Sequence, residues 1–425
     1  MYKSWQENLQ EFSNCRFGIF IHYGLFSLLE RGEWVLNREG IPVDEYKRLA
    51  LDFTAEKFDA EKLVLLAKNA GAKYIVFTTM HHDGFALYDS QVNDFNCVNS
   101  PCGRDIISET VEACRKHDLR IHLYHSLNNW TSVPNGSDAL EDVAVKKDFV
   151  DFTHARLKEL VTKYNPVDCL WYDGWWPFHA DGWRSVEMNQ IVREIQPQII
   201  FNGRNGLPGD FATPEQHLTA PKPWRPWEAC ITHNSNWGYH AGDRSWKTPI
   251  QIVDSILQIA GGAGNFLLNI GLKADGSIPD ESVNLLNVLA GWSKVNSQAI
   301  YNSDLFDFDL NTKGEHRGDF FHHGKYTCIG NRLYLHLLHW PGERFSVNGI
   351  EAAAQSATIL GVGDININQD KKRLSFNLPP KPPFWYGGVV EVVFETLPSI
   401  YNTGGIRVPK VEHPRYDPCS SNIIV

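Results

Sequence analysis

The chain has 425 residues, 43% of them hydrophobic, 21% charged and 12% aromatic, a balance that excludes disordered and collagen-like classes and allows a sizeable buried core. Its 40 Lys and Arg against 50 Asp and Glu give a net charge of −10, and no long basic run gathers the positive charges, which argues against a nucleic-acid partner. No window approaches 18 uncharged apolar residues, so neither a membrane span nor a membrane partner is expected.

In chain order, the opening MYKSWQENLQEF has no apolar stretch behind its positive residue, so it does not read as an export signal. A cytoplasmic location is expected, or an exported one if a leader has been trimmed. From there to about residue 300, short runs rich in β-branched and aromatic residues alternate with segments of helical period, the pattern of a parallel α/β fold. The runs are Phe17 to Ile21, Tyr74 to Thr78, Arg120 to Tyr124, Cys169 to Tyr172, Ile199 to Phe201, Ala229 to Thr232 and Phe266 to Ile270. An eighth is expected within an irregular stretch. After Asp59, Leu63, Leu66, Ala67 and Ala70 recur at helical spacing, and Gly71 can end that helix in a left-handed conformation. No GxGxxG opens the first helix, which disfavours a dinucleotide-binding fold. The predicted architecture is a (β/α)8-like barrel. Its further support is that most runs end at polar residues, namely His22, His81, Tyr124 with His125, Asp173, Arg204 and Asn269, and in such barrels these ends converge on the active site.

From about residue 310 the period changes to two, as in Leu333 to Trp340, Arg373 to Leu378 and Val389 to Glu395, with turns at Pro341-Gly342, Asn348-Gly349 and Gly387-Gly388. The expected division is a barrel over 1–308, a small antiparallel β-sandwich over 309–400 and an irregular tail over 401–425. Eight Cys, at 15, 97, 102, 114, 169, 230, 328 and 419, are irregularly spaced, which favours reduced thiols. Cys97 and Cys102 are the pair that a loop could bridge.

The sharpest local chemistry is LWYDGWW, where Asp173 closes an apolar run before Gly174 and two Trp. A carboxylate held there can attack an anomeric carbon while the rings cover the sugar, and the 14 Trp, 15 Tyr and 23 Phe of the chain suit such stacking. An Asp that only caps the next loop fits the motif equally. TTMHHDGF places His81 and His82 after the second run, able to bond hydroxyls or to bind a metal, while Asp83 and Gly84 shape the turn. A zinc site wants three or four ligands, and FIHYG offers only His22 in place of the HxH pair common in barrel hydrolases.

The blocks FGIFIHYG, GEW, FDAEKLVLLAKNAGAKYIVFTTMHHDGF, RIHLYHS, LWYDG, GDFATPEQ, the Trp-Glu pair before SNWGYH, and GGAGNFLLNIG, in this order, resemble glycoside hydrolase family 29, the retaining alpha-L-fucosidases. The resemblance spans about residues 15 to 310 and implies a barrel followed by a sandwich-like remainder. It implies Asp173 as the nucleophile and His22, Glu33, Trp34, His81, His82, Tyr124, Trp171 and Arg204 as contacts to fucose. Taken alone, Glu33 and Trp34 read as an exposed loop pair, Tyr124 as a core ring and Arg204 as a surface charge. Glu215, in GDFATPEQ, is the acid/base by the same resemblance, and Glu228, in PWEAC, is the alternative, its place at a strand start favouring a supporting role. Two departures stand out. Tyr23 replaces a frequent Trp, which bears on wall packing, and His125 replaces a frequent second Tyr, which bears on the leaving-group side.

The implied reaction is a double displacement on a terminal alpha-L-fucose of an oligosaccharide or glycoconjugate, with no metal and no organic cofactor. It needs the two carboxyl groups roughly 5 to 5.5 Å apart in the working state and pKa values held apart by different surroundings. A metal-dependent barrel hydrolase using His22, His81, His82 and an Asp, and a non-catalytic fucose-binding protein, are the alternatives. Oligomeric state is not legible.

Overall fold

The computed structural model describes residues 4–132, 138–305 and 323–399. Its first part contains β1 (Phe17–His22), β2 (Tyr74–Met80), β3 (Arg120–Ser126), β4 (Cys169–Asp173), β5 (Ile200–Phe201), β6 (Glu228–Thr232) and β7 (Asn265–Gly271). These seven strands form one curled parallel sheet in the order β5-β4-β3-β2-β1-β7-β6, so each expected run is a strand. Between β5 and β6 the chain makes isolated parallel bridges, Asn202 with Phe211, Ala212 with Trp227 and Glu215 with Cys230. This is the irregular eighth stretch. Pro208 and Pro214 have no N–H to give a ladder, so residues 211–215 carry the sheet from β5 toward β6 by scattered contacts.

Strand alternation divides the side chains into two layers. Phe20, Tyr74, Val76, Tyr124, Trp171, Cys230 and Leu267 pack with Phe211 in a cluster inside the sheet. Their neighbours Ile19, Ile75, Leu123, Leu170, Ile231 and Leu268 pack outward with the helix residues Leu63, Val64 and Ala67. Those three belong to the helix Ala60–Asn69, whose first turn is capped by Asp59 accepting from the Lys62 N–H at 2.9 Å. The N-terminal helix Trp5–Ser13 covers the end of the sheet remote from the strand tips. Asn8 donates to the carbonyls of Asp168 and Gln198, and Phe12 packs against Phe211 with ring centroids 4.5 Å apart.

The second part is antiparallel. It comprises β8 (Gly324–Ile329), β9 (Arg332–Leu337), β10 (Arg344–Asn348), β11 (Ala354–Ile359), β12 (Gly363–Ile365), β13 (Ile367–Asp370), β14 (Arg373–Asn377) and β15 (Gly388–Phe394). A five-stranded sheet, β12-β11-β15-β9-β8, and a three-stranded sheet, β10-β14-β13, share a core of Leu333, Leu335, Phe345, Val347, Phe376 and Val390. The period-two runs thus face one another as expected of a sandwich. Gly387 has φ 93°, and a Cβ there would lie 1.9 Å from the Leu337 carbonyl oxygen, so the turn into β15 requires glycine. The expected boundaries at 308 and 400 and the tail over 401–425 lie outside the described residues.

Cys97 and Cys102 are not bridged; the Cys97 thiol donates to the Arg104 carbonyl at 2.9 Å. Cys419 lies outside the described residues. Among the described residues no helix is long and apolar enough to cross a membrane.

The inner layer leaves no room at Gly18 of β1, where a Cβ would lie 2.3 Å from the Tyr74 ring. Gly18→Ala should therefore destabilise the fold by about 1 to 3 kcal/mol, read as a lower midpoint in chemical denaturation. An unchanged midpoint would show that the packing at this level is looser than described.

Candidate active site

The strand ends bring most of the expected polar residues, though not His125 or Asn269, to the lining of a cavity of about 250 Å³. β1 contributes His22, the segment after β2 His81 and His82, β3 Tyr124, β4 Trp171 and Asp173, the segment after β5 Arg204, and the irregular stretch Glu215. Trp34, Trp176 and Trp237 complete the walls, with Phe20 and Cys230 beneath.

Asp173 lies where β4 ends, with its side chain 13% exposed. One carboxylate oxygen accepts from the Tyr124 hydroxyl at 2.8 Å and the other from Arg204 Nη1 at 3.2 Å. Gly174 follows with φ 67°, and a Cβ there would sit 2.6 Å from Ser126 Oγ, so the turn that presents Asp173 requires glycine. Arg204 Nη2 also donates to Glu215 Oε2 at 2.7 Å, so one guanidinium holds both carboxylates. Its face lies 4.8 Å from the Trp171 ring, and the neighbouring anions hold its pKa above the ordinary value despite burial. The side chain expected from sequence alone to be a surface charge is thus largely withdrawn from solvent, 19% exposed, and paired.

The histidines are neutral hydrogen-bonding groups. Burial lowers the pKa of His22 and His81 well below the usual value and that of His82 to about 3. The Asn269 amide donates to the Trp237 carbonyl at 2.8 Å, which turns its oxygen toward His22 Nδ1 at 2.6 Å. His22 Nδ1 therefore carries the proton, and its Nε2 is left as an acceptor. His82 Nδ1 is 2.6 Å from Ser126 Oγ, and its Nε2 is 3.8 Å from Asp173. His81 Nδ1 has no hydrogen-bond partner among the described residues. No group of three or more His, Cys, Asp or Glu among the described residues is placed to hold a metal ion.

Two of the sequence-derived candidates are not in the cavity lining. Glu33 is buried, its pKa raised by that burial, and it accepts from the Gly238 N–H at 2.8 Å, fixing the loop that carries Trp237. Glu228 lies beneath the floor, accepting from the Trp171 indole at 2.8 Å and the Tyr74 hydroxyl at 2.6 Å. The two departures, Tyr23 and His125, face away from the cavity. Tyr23 stacks on Phe58 at 6.2 Å, and His125 Nδ1 meets Thr79 Oγ1 at 2.8 Å. Neither bears on the walls, because strand alternation turns each away from its inward neighbour, His22 or Tyr124. Trp176, one of the two Trp of LWYDGWW, is among the walls as expected, whereas Phe20, Cys230 and Trp237 had not been singled out. Counting back two positions from His22 reaches Phe20, and counting on two from Glu228 reaches Cys230, so alternation could have found that pair.

The model of the Alpha-L-fucosidase family matches residues 2–298. Tissue alpha-L-fucosidase of Homo sapiens is 30% identical over 417 residues, covering 88% of this chain and 85% of that protein. Alpha-L-fucosidase isoenzyme 1 from Paenibacillus thiaminolyticus has a solved structure with a TM-score of 0.83 at 32% identity, covering 92% of this chain and 100% of that one. An alpha-L-fucosidase from Bacteroides thetaiotaomicron, solved as a trapped covalent intermediate with 2-fluoro-fucosyl fluoride, matches with a TM-score of 0.82 at 29% identity, over 92% of this chain and 96% of that one.

Burial pushes the Glu228 carboxyl up from 4.5 to about 7, against the pull of the two hydrogen bonds and Arg204. Between those pH values the folded protein holds a proton that the unfolded chain has lost, so stability falls as pH rises through this window and levels off above it. Glu228→Gln should flatten that slope, measured as denaturation midpoints across the window. An unchanged slope would place the proton elsewhere.

Proposed function

The chain belongs to the alpha-L-fucosidase family, glycoside hydrolase family 29, and is a retaining glycosidase acting on fucosylated glycans; from that premise we propose that Asp173 is its nucleophile and Glu215 its acid/base. The observation that carries the assignment is the pair of contacts from Arg204, at 3.2 Å to Asp173 and 2.7 Å to Glu215, at the edge of a cavity of about 250 Å³. Both carboxylates are within reach of one bound sugar, whereas Glu228 is closed off beneath Trp171.

Asp173 attacks the anomeric carbon as the bond to the leaving oxygen breaks, and Glu215 gives that oxygen its proton. A covalent fucosyl-enzyme results. Glu215, now ionised, takes a proton from water, whose oxygen displaces Asp173 and restores the original anomer. The hydroxyl of Tyr124 and the Arg204 guanidinium keep Asp173 aimed before attack. Arg204 engages Oε2 of Glu215, so the proton for the leaving oxygen is carried on Oε1.

Recognition divides between the floor and the rim. Neutral His22, His81 and His82 and the Tyr124 hydroxyl offer fixed donors and acceptors for the sugar hydroxyls. A sugar lacking a matching hydroxyl leaves one of them buried and unpaired, which is a strong basis for rejection. Trp34 and Trp171 face the apolar side of the sugar and its methyl group. Glu33 acts through the loop bearing Trp237.

Asp173→Gly should lower turnover of an aryl alpha-L-fucoside by about three orders of magnitude or more. Azide should restore part of it and give a fucosyl azide of inverted configuration, because only one displacement remains. Glu215→Ala should spare good leaving groups, slow poor ones and give the retained azide. Ordinary activity in the first variant, or the second behaviour in Glu228→Ala alone, would overturn the respective assignment.

A further inference from the structure

A second cavity, of about 590 Å³, is lined by Lys47, Asn93, Phe95, Asn129, Asp148 and Phe152 together with neighbouring residues. Asn93 and Phe95 come from the segment after β2 and Asn129 from the segment after β3. Asp148 and Phe152 lie on the first half of the helix Val143–Lys163 that follows β3. The cavity therefore opens on the same face of the barrel as the sugar pocket.

Trp130 packs against residues of the sugar pocket, and its chain neighbours line the second cavity. The Trp130 N–H donates to the His82 carbonyl at 2.7 Å, and the Trp130 ring lies 5.1 Å from the His82 ring and 4.8 Å from that of Trp34. Both His82 and Trp34 line the sugar pocket. Residues 129 and 131, on either side of Trp130, line the second cavity. They are fixed there: Thr131 Oγ1 donates to the Asp83 carbonyl at 2.7 Å, and Asn129 Oδ1 accepts from the Thr131 N–H at 3.0 Å.

The lining chemistry narrows the occupant. Phe95 and Phe152 offer partly exposed rings, one face of each taken by a cation: the Lys47 ammonium lies 5.6 Å from the Phe95 ring centre and the Arg156 guanidinium 4.8 Å from that of Phe152. Among the described residues Lys47 and Asp148 face this cavity without a hydrogen bond or an ion pair between them. A phosphate or acidic ligand would meet Asp148, and a purely apolar one would strip water from both charges without replacing it. A neutral sugar has hydroxyls for both and C–H faces for the rings. We propose that this cavity is a subsite for neutral sugars of the same glycan, beyond the residue that bears the scissile fucose. The proposal rests on the fucosidase reading of the adjoining pocket.

The test compares a linkage-matched fucosylated disaccharide and pentasaccharide, with 4-nitrophenyl alpha-L-fucoside as the reference. The wild-type protein should prefer the pentasaccharide in kcat/KM. Phe152→Ala and Asp148→Ala should each remove about five- to tenfold of that preference, chiefly through KM, while leaving the aryl fucoside unchanged. That unchanged activity also reports an intact fold. No pentasaccharide preference in the wild type, no loss in either variant, or equal losses on all substrates overturns the subsite. Failure of the wild type to cleave the aryl fucoside would instead overturn the fucosidase reading itself.

Discussion

The guanidinium of Arg204 is where the site is held together. It reaches Asp173 at 3.2 Å and Glu215 at 2.7 Å, and it lies on the face of Trp171. Trp171 is fixed from below by the buried Glu228 carboxylate, which also takes the Tyr74 hydroxyl. A chain of contacts thus runs from the barrel interior to both carboxylates at the mouth. Removing one member would leave a buried polar group without its partner, which costs more than the contact itself contributes.

The barrel supplies this arrangement through its irregular part. A regular eighth strand would turn its side chains alternately in and out on a continuous ladder. The stretch over 211–215 instead touches its neighbours at isolated bridges, one of them between Glu215 and Cys230. Glu215 is consequently 42% exposed, while the strand-borne Asp173 is 13% exposed. One carboxylate is anchored and the other more open to solvent, which suits the roles of nucleophile and proton carrier proposed for them.

Much of this was legible because two-residue alternation and polar strand ends follow directly from the geometry of a parallel barrel. His22, Tyr124 and Asp173 fall where apolar runs stop, and the structure gathers them. The sandwich was legible for the same reason, since Leu333, Leu335 and Leu337 alternate with residues on the opposite face. What was not legible depends on partners far along the chain. Glu33 reads as a loop charge until Gly238, 205 residues away, supplies its N–H. Arg204 reads as a surface charge until Asp173 and Glu215 are seen on either side of it. Trp237 carries no local mark that separates a wall ring from a core ring. The roles of Asp173 and Glu215 came from the family resemblance and not from periodicity, which fixes where a side chain sits but not what it does.

The central claim is that Asp173 bonds covalently to the sugar. Incubation with 2-deoxy-2-fluoro-fucosyl fluoride, followed by proteolysis and mass spectrometry of the labelled peptide, tests it most directly. The account predicts a stoichiometric fluorofucosyl adduct on Asp173, absent in Asp173→Gly. An adduct on another residue, or complete turnover of the reagent with inversion and no adduct, would contradict it.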